Sequence, residues 1–203
     1  MSDVGLLYVG GVLFLNSIML LGRVEGKSAG IFNLFVGVLQ VITPLYLIFQ
    51  AKGDTAAILG ASGLFLFGFT YLYVGITNLC KLDTTGVGWY SLWVAILAIG
   101  YSLVNFIYFG DIKFGIIWLM WSFLWTLFFI LLGLKRDIGR YTGYVTLIQS
   151  WITATVPAFL SLVGVWQGIS LVWVWLVTLV AVVAFVYLYV ASKKSQVTDK
   201  VTM

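Results

Sequence analysis

The sequence predicts an all-α integral membrane protein of seven transmembrane helices, and three observations predict it. Hydrophobic residues make up 62% of the 203 residues and charged residues only 9%, with a mean hydropathy of +1.10. A water-soluble core of this size needs far less apolar material. Apolar runs lie at about 4–22, 28–50, 57–80, 88–110, 114–134, 141–166 and 169–191, each close to the length of helix that crosses a bilayer. The eleven Lys and Arg and the seven Asp and Glu fall in the short connections, at the tails or at the extreme ends of those runs. One transmembrane domain is thus expected over 1–192, followed by a polar tail at 193–203.

Each run has its own justification. The first opens after Asp3 instead of a basic region and continues as a span, so it reads as a helix and not as a cleaved leader. Along it Leu6, Val9 and Leu13 recur at i, i+3 and i+7, with Asn16 three residues further on the same face. That spacing makes an apolar stripe ending in an amide, suited to helix packing or to lining a path. Gly5, Gly10 and Gly11 in this run, Gly30 and Gly37 in the second, and Gly60, Gly63 and Gly68 in the third allow close backbone approach. The fourth run holds Asn105 and the sixth holds Gln149 and Thr153. The fifth, Phe114 to Leu134, carries no charge and places Trp118, Trp121 and Trp125 on one helical face. Such indoles suit ordinary packing, or a slot for a flat, polar, uncharged solute. Interface anchors sit at span ends, whereas Trp121 and Trp125 fall near the middle.

Alternating the connections across the membrane puts Arg23, Lys27, Lys81, Lys135, Arg136, Arg140, Lys193, Lys194 and Lys200 on one side, and only Lys52 and Lys113 on the other. By the positive-inside rule the N-terminus is outside and the C-terminus cytoplasmic, which requires an odd number of spans. A short signature recurs on the basic side. Arg23-Val24-Glu25, Lys81-Leu82-Asp83 and Lys135-Arg136-Asp137 each set a basic residue two before an acidic one, which suggests three helical hairpins followed by a lone seventh helix.

The polar residues within the spans are all neutral: Asn16, Asn33, Gln40, Thr70, Thr77, Asn78, Asn105, Gln149 and Thr153 among them. Proton relays and ion pathways normally place acids, lysine or histidine within the bilayer, so what remains is a path for uncharged solutes. The seventh run has no mid-membrane lysine for a retinal Schiff base. With no histidine and a single cysteine, Cys80, a disulfide within the chain is impossible and a His/Cys metal site is not expected. An intramembrane enzyme is not expected either, since no acid–base pair stands inside the membrane. No cofactor is called for.

The segments LLYVGGVLFLNS, GRVEGKSAGIFNLFVG, LFLFGFTYLYVGI, WYSLWVAI, IIWLMWSFLW and TVPAF together resemble the AmiS/UreI family of bacterial urea and short-chain amide channels, from about residue 4 to 166. The resemblance implies a protomer of three helical hairpins, six protomers in a ring with lipid at the centre, and one pore per protomer. It implies a passive channel in the bacterial cytoplasmic membrane, permeated by urea or short-chain aliphatic amides and linked in function to a cytoplasmic urease or amidase. The pore positions carried over are Leu6, Val9 and Leu13 in the first helix, Phe67 and Tyr71 in the third, Trp118, Trp121, Leu124 and Trp125 in the fifth, and Gln149 and Thr153 in the sixth, with Pro157 keeping the local pattern.

Three departures from the family pattern stand out. Gln149 stands where the family's urea-selective members place a glutamate, keeping a carbonyl acceptor and adding an N–H donor. The outer connections near Ala51–Asp54 and Phe109–Lys113 are short and the chain lacks histidine, so a histidine acid switch is not expected. The seventh run continues beyond the family's six helices. The competing reading is a coupled secondary transporter of a small neutral solute, although such carriers are commonly built from larger repeats.

Overall fold

The computed structural model describes residues 2–201, with side chains described through Lys193. Among the described residues seven helices are long and apolar enough to cross a membrane: α1 (Ser2–Leu20), α2 (Gly26–Gln50), α3 (Thr55–Cys80), α4 (Thr85–Phe109), α5 (Ile112–Gly133), α6 (Gly139–Leu162) and α7 (Leu171–Val201). The chain is a multi-pass membrane protein. Two boundaries depart from expectation. The sixth helix ends at Leu162, and Trp166 lies in a short turn beyond it. The seventh helix runs past 191 into the segment expected as a polar tail, because Ser192 to Val201 contains neither glycine nor proline to stop it. Residues 202–203 lie outside the described residues.

The turns that carry the recurring basic-to-acidic signature share a conformation. Lys81 and Lys135 close α3 and α5 in the left-handed region, at φ 54° and 52°, and Gly22 does the same after α1 at φ 76°. Left-handed residues end helices by redirecting the chain while satisfying its last carbonyls. The Lys135 ammonium reaches across to the Asp83 carboxylate at 2.9 Å, tying the second signature turn to the third.

The helices do not pair as three consecutive hairpins. The closest packing joins α2 with α3, α4 with α5, and α6 back onto α1, so that six helices close around a common interior. Glycines decide this. A methyl on Gly68 would lie 2.9 Å from the Gln40 carbonyl oxygen of α2, and one on Gly37 would lie 2.8 Å from the Leu72 nitrogen of α3. Between α4 and α5 the approach is tighter still, since a Cβ on Gly88 would come within 2.0 Å of the Gly133 nitrogen. Backbones this close gain dispersion contacts over their length, the main attraction available between helices in lipid. Hydroxyls add to it: Ser102 donates to the Gly115 carbonyl and Ser122 to the Ala95 carbonyl, both at 2.8 Å. Between α1 and α2, Asn16 and Asn33 donate to each other's carbonyl at 3.0 and 2.7 Å.

Three wide turns interrupt the regular helices, at Val104–Phe109, Phe129–Gly133 and Ser150–Thr155. The last has a visible cause. Pro157 has no N–H for the carbonyl of Thr153, four residues earlier, and the ladder slips by one residue so that the Val156 N–H bonds to Trp151 instead. Helix α7 stands apart from the six, touching α5 and α6 and burying only Ala181 and Phe185 among its described apolar side chains.

Candidate conduction path

Two cavities enter the six-helix interior from opposite ends, and Phe67 and Trp121 line both. One cavity, of about 200 Å³, opens beside Ser2 and Asp3 and is walled by Leu6, Val9, Gln40, Tyr101, Asn105 and Trp118. The other, of about 90 Å³, opens beside Thr84 and is walled by Leu13, Asn16, Thr70, Tyr71, Thr77, Leu124 and Trp125 among others. The stripe of α1 therefore runs from one cavity to the other, with Leu6 and Val9 above the constriction and Leu13 below it. All three are buried.

The constriction is aromatic. The ring of Phe67 lies 4.8 Å from the indoles of both Trp121 and Trp125 and 5.9 Å from that of Trp118, meeting Trp121 edge to face at 80°. Tyr101 stacks on Trp118 at 4.7 Å. Edge-to-face and offset pairs are the favoured arrangements for such rings, so the cluster holds its own shape. The i, i+3, i+7 spacing of the tryptophans brings them to one face of α5, and α3 delivers Phe67 against that face because Gly68 beside it lets α3 approach α2.

Behind the constriction a polar chain fixes one indole. Trp121 donates its Nε1–H to the Thr153 hydroxyl at 2.9 Å, and Thr153 in turn donates to the Gln149 backbone carbonyl at 2.6 Å. Gln149 and Thr153 are fully buried and line neither cavity. The Gln149 carboxamide makes no hydrogen bond through either side-chain atom. Of the residues singled out from the sequence, nine thus border the two cavities, while these two stand behind Trp121.

Several cavity residues were not singled out as site residues: Gln40, Tyr101 and Asn105 at the Asp3 end, and Asn16, Thr70 and Thr77 at the Thr84 end. Asn16 ends the α1 stripe, which suits packing as well as lining, and the others, as isolated neutral residues within apolar runs, carry no spacing signal. Between the two mouths no charged side chain borders either cavity. A solute crossing there must shed water, which costs several kcal/mol for a lone polar group and far more for an ion. The arrangement suits a small neutral molecule thin enough to pass an aromatic edge.

A sequence model described as "AmiS/UreI family transporter" matches residues 1–165. The chain belongs to the AmiS/UreI family. It is 55% identical over 165 residues, 81% of this chain and 80% of the relative, to the putative transporter protein AmiS2 of Rhodococcus erythropolis. It is 34% identical over 191 residues, 79% of this chain and 97% of the relative, to the acid-activated urea channel of Helicobacter pylori. The crystal structure of the Helicobacter pylori urea channel superposes with a TM-score of 0.74 at 34% identity, covering 82% of this chain and 99% of that one. Every residue bordering the two cavities lies within the AmiS/UreI match, whereas α7 begins beyond it.

Proposed function

We propose that this chain is a passive channel for urea and short-chain aliphatic amides, with one pore per protomer formed by the two cavities. The observation that carries the reading is the meeting of two cavities at Phe67 and Trp121, with no charged side chain bordering them between their mouths. Urea and acetamide are planar and neutral, and they can slide between ring faces while neighbouring amides and hydroxyls replace part of their lost hydration. The walls of the path are Leu6, Val9, Leu13, Phe67, Tyr71, Trp118, Trp121, Leu124 and Trp125. Gln149 and Thr153 support it from behind by fixing the edge of Trp121.

The name of one relative, a urea channel, favours the first of these solutes. The acid activation named for the Helicobacter pylori relative is not carried over, because this chain has no histidine to titrate between about pH 5 and 8. The excess of basic residues on one side supports an N-terminus outside and a C-terminus in the cytoplasm, in a bacterial inner membrane. The Asp3 cavity is then the outer vestibule and the Thr84 cavity the inner one. Six protomers form a ring, and a cytoplasmic urease or amidase consumes the solute.

Stopped-flow light scattering on proteoliposomes, comparing urea, acetamide and glycerol at pH 5 and pH 7, tests this. Rapid urea and acetamide flux with little glycerol passage, equal at both pH values and linear with the gradient, is the expected result. Saturating flux with counterflow would identify a coupled carrier instead.

A further inference from the structure

Gln40 is 1% exposed, borders the Asp3-end cavity, and makes no hydrogen bond through either its Oε1 or its Nε2. A carboxamide carries two donors and a two-lone-pair acceptor, and buried polar groups in folded proteins are almost always satisfied. A buried amide on the wall of a cavity that finds no partner through either atom therefore has its whole pairing capacity unused.

Its surroundings keep it there. Gly5 on α1 faces the amide, and a Cβ at Gly5 would stand 2.9 Å from Oε1 and 3.3 Å from Nε2. Any side chain larger than hydrogen at position 5 would push the carboxamide from its place. From the other flank Gly68 brings α3 against the Gln40 carbonyl, which Pro44 leaves without its helical N–H donor. The backbone of Gln40 is thus set by α3 while its side chain is accommodated by α1.

We propose that the Gln40 carboxamide is the solute-selecting group of the outer vestibule, pairing with a primary amide or urea through two parallel hydrogen bonds before the solute meets the Phe67–Trp121 constriction. A primary carboxamide offers one N–H and one C=O side by side, and so does the solute, so each donates one hydrogen bond and accepts one. A tertiary amide has lost the donor and forms one bond at most. A polyol has no matching planar edge. Gln40 thus discriminates by donor count, and the aromatic constriction discriminates by thickness. This rests on the reading of the cavities as a conduction path.

The test measures flux of acetamide, urea and N,N-dimethylacetamide through proteoliposomes of the full chain, as wild type, Gln40→Leu and Gly5→Ala. The expected result is a wild-type preference for acetamide over N,N-dimethylacetamide that falls about tenfold in Gln40→Leu and falls in the same direction in Gly5→Ala, which displaces the amide without removing it. A wild-type protein that conducts acetamide while both variants keep its preference for primary amides would overturn the role of Gln40 and leave the channel reading standing. A wild-type protein that conducts neither solute above empty liposomes would overturn the channel reading itself. Size-exclusion profiles of the variants separate a folding defect from a change in preference, and Gly5→Ala alone decides if Gln40→Leu does not assemble.

Discussion

The indole of Trp121 is held by the hydroxyl of Thr153 across 2.9 Å, and this bond joins the aromatic constriction on α5 to the wide turn on α6. Trp121 is the one residue of the tryptophan face that borders both cavities, so its edge cannot rotate freely without opening or closing the path. Thr153 therefore acts on the constriction from a position that borders neither cavity.

Replacing Thr153 with Val keeps the volume and removes the acceptor. The buried indole N–H loses its partner, which costs about 1–3 kcal/mol, and the ring gains freedom to turn. Thermal unfolding in detergent is expected to show the loss, and flux measurements an increase in glycerol passage relative to urea. Thr153→Ser, which retains the hydroxyl, is expected to restore both. Wild-type selectivity in Thr153→Val would mean that packing against Phe67 alone orients Trp121.

Trp125 makes a different contribution, because no hydrogen bond fixes its indole among the described residues and it meets Phe67 at 4.8 Å on the Thr84 side. Trp125→Ala opens a void next to the constriction that a bulkier solute can use. Relative to urea, glycerol passage is expected to rise about tenfold, equivalent to about 1.4 kcal/mol of barrier. An unaltered ratio would place the narrowest point elsewhere along the path.

The fold makes its own demand at Gly88. A Cβ there would come within 2.0 Å of the Gly133 backbone nitrogen, an overlap that only separation of α4 and α5 relieves. Gly88→Ala is expected to lower the unfolding temperature markedly, whereas Gly100→Ala on the same helix, with open space around it, is expected to be neutral or slightly stabilising through better helix propensity. Equal behaviour of the two variants would contradict the close packing of α4 on α5.

These glycines also explain what a single sequence does and does not disclose. The seven spans were legible because lipid demands a continuous apolar run and internally satisfied backbone, a requirement met residue by residue along the chain. The pairing of helices was not, because Gly88 meets Gly133 and Gly68 meets the Gln40 carbonyl only in three dimensions, and the signature turns drew attention to the wrong side of each hairpin. Within the candidate site, the stripe Leu6, Val9 and Leu13 and the face Trp118, Trp121 and Trp125 followed from helical spacing. Phe67 came with the family resemblance, and its place among three indoles was visible only in the fold. Gln149 and Gln40 show the limit of pattern most clearly. Both read as neutral amides within apolar runs, yet one stands behind Trp121 and the other borders a cavity.

The last expectation concerns acid. Asp83 is held well below the usual carboxylate range, first by the Thr85 hydroxyl, then by the Lys135 ammonium and by the Thr85 backbone N–H. A carboxyl whose folded value is depressed contributes stability above its unfolded value of about 4, and that contribution is lost as the pH falls through the folded value. The tie between the α3–α4 and α5–α6 turns is therefore intact at pH 7 and at pH 5 alike. Because Asp83 and Lys135 are both exposed, the contribution is small. Comparing the unfolding temperatures of the wild type and Asp83→Asn from pH 7 down to pH 2 measures it. The difference is expected to hold constant to about pH 5 and to shrink only below about pH 4. A difference that already closes between pH 7 and pH 5 would mean that Asp83 is not held by these partners, and that the turns respond to acid in the range where this chain has no histidine to do so.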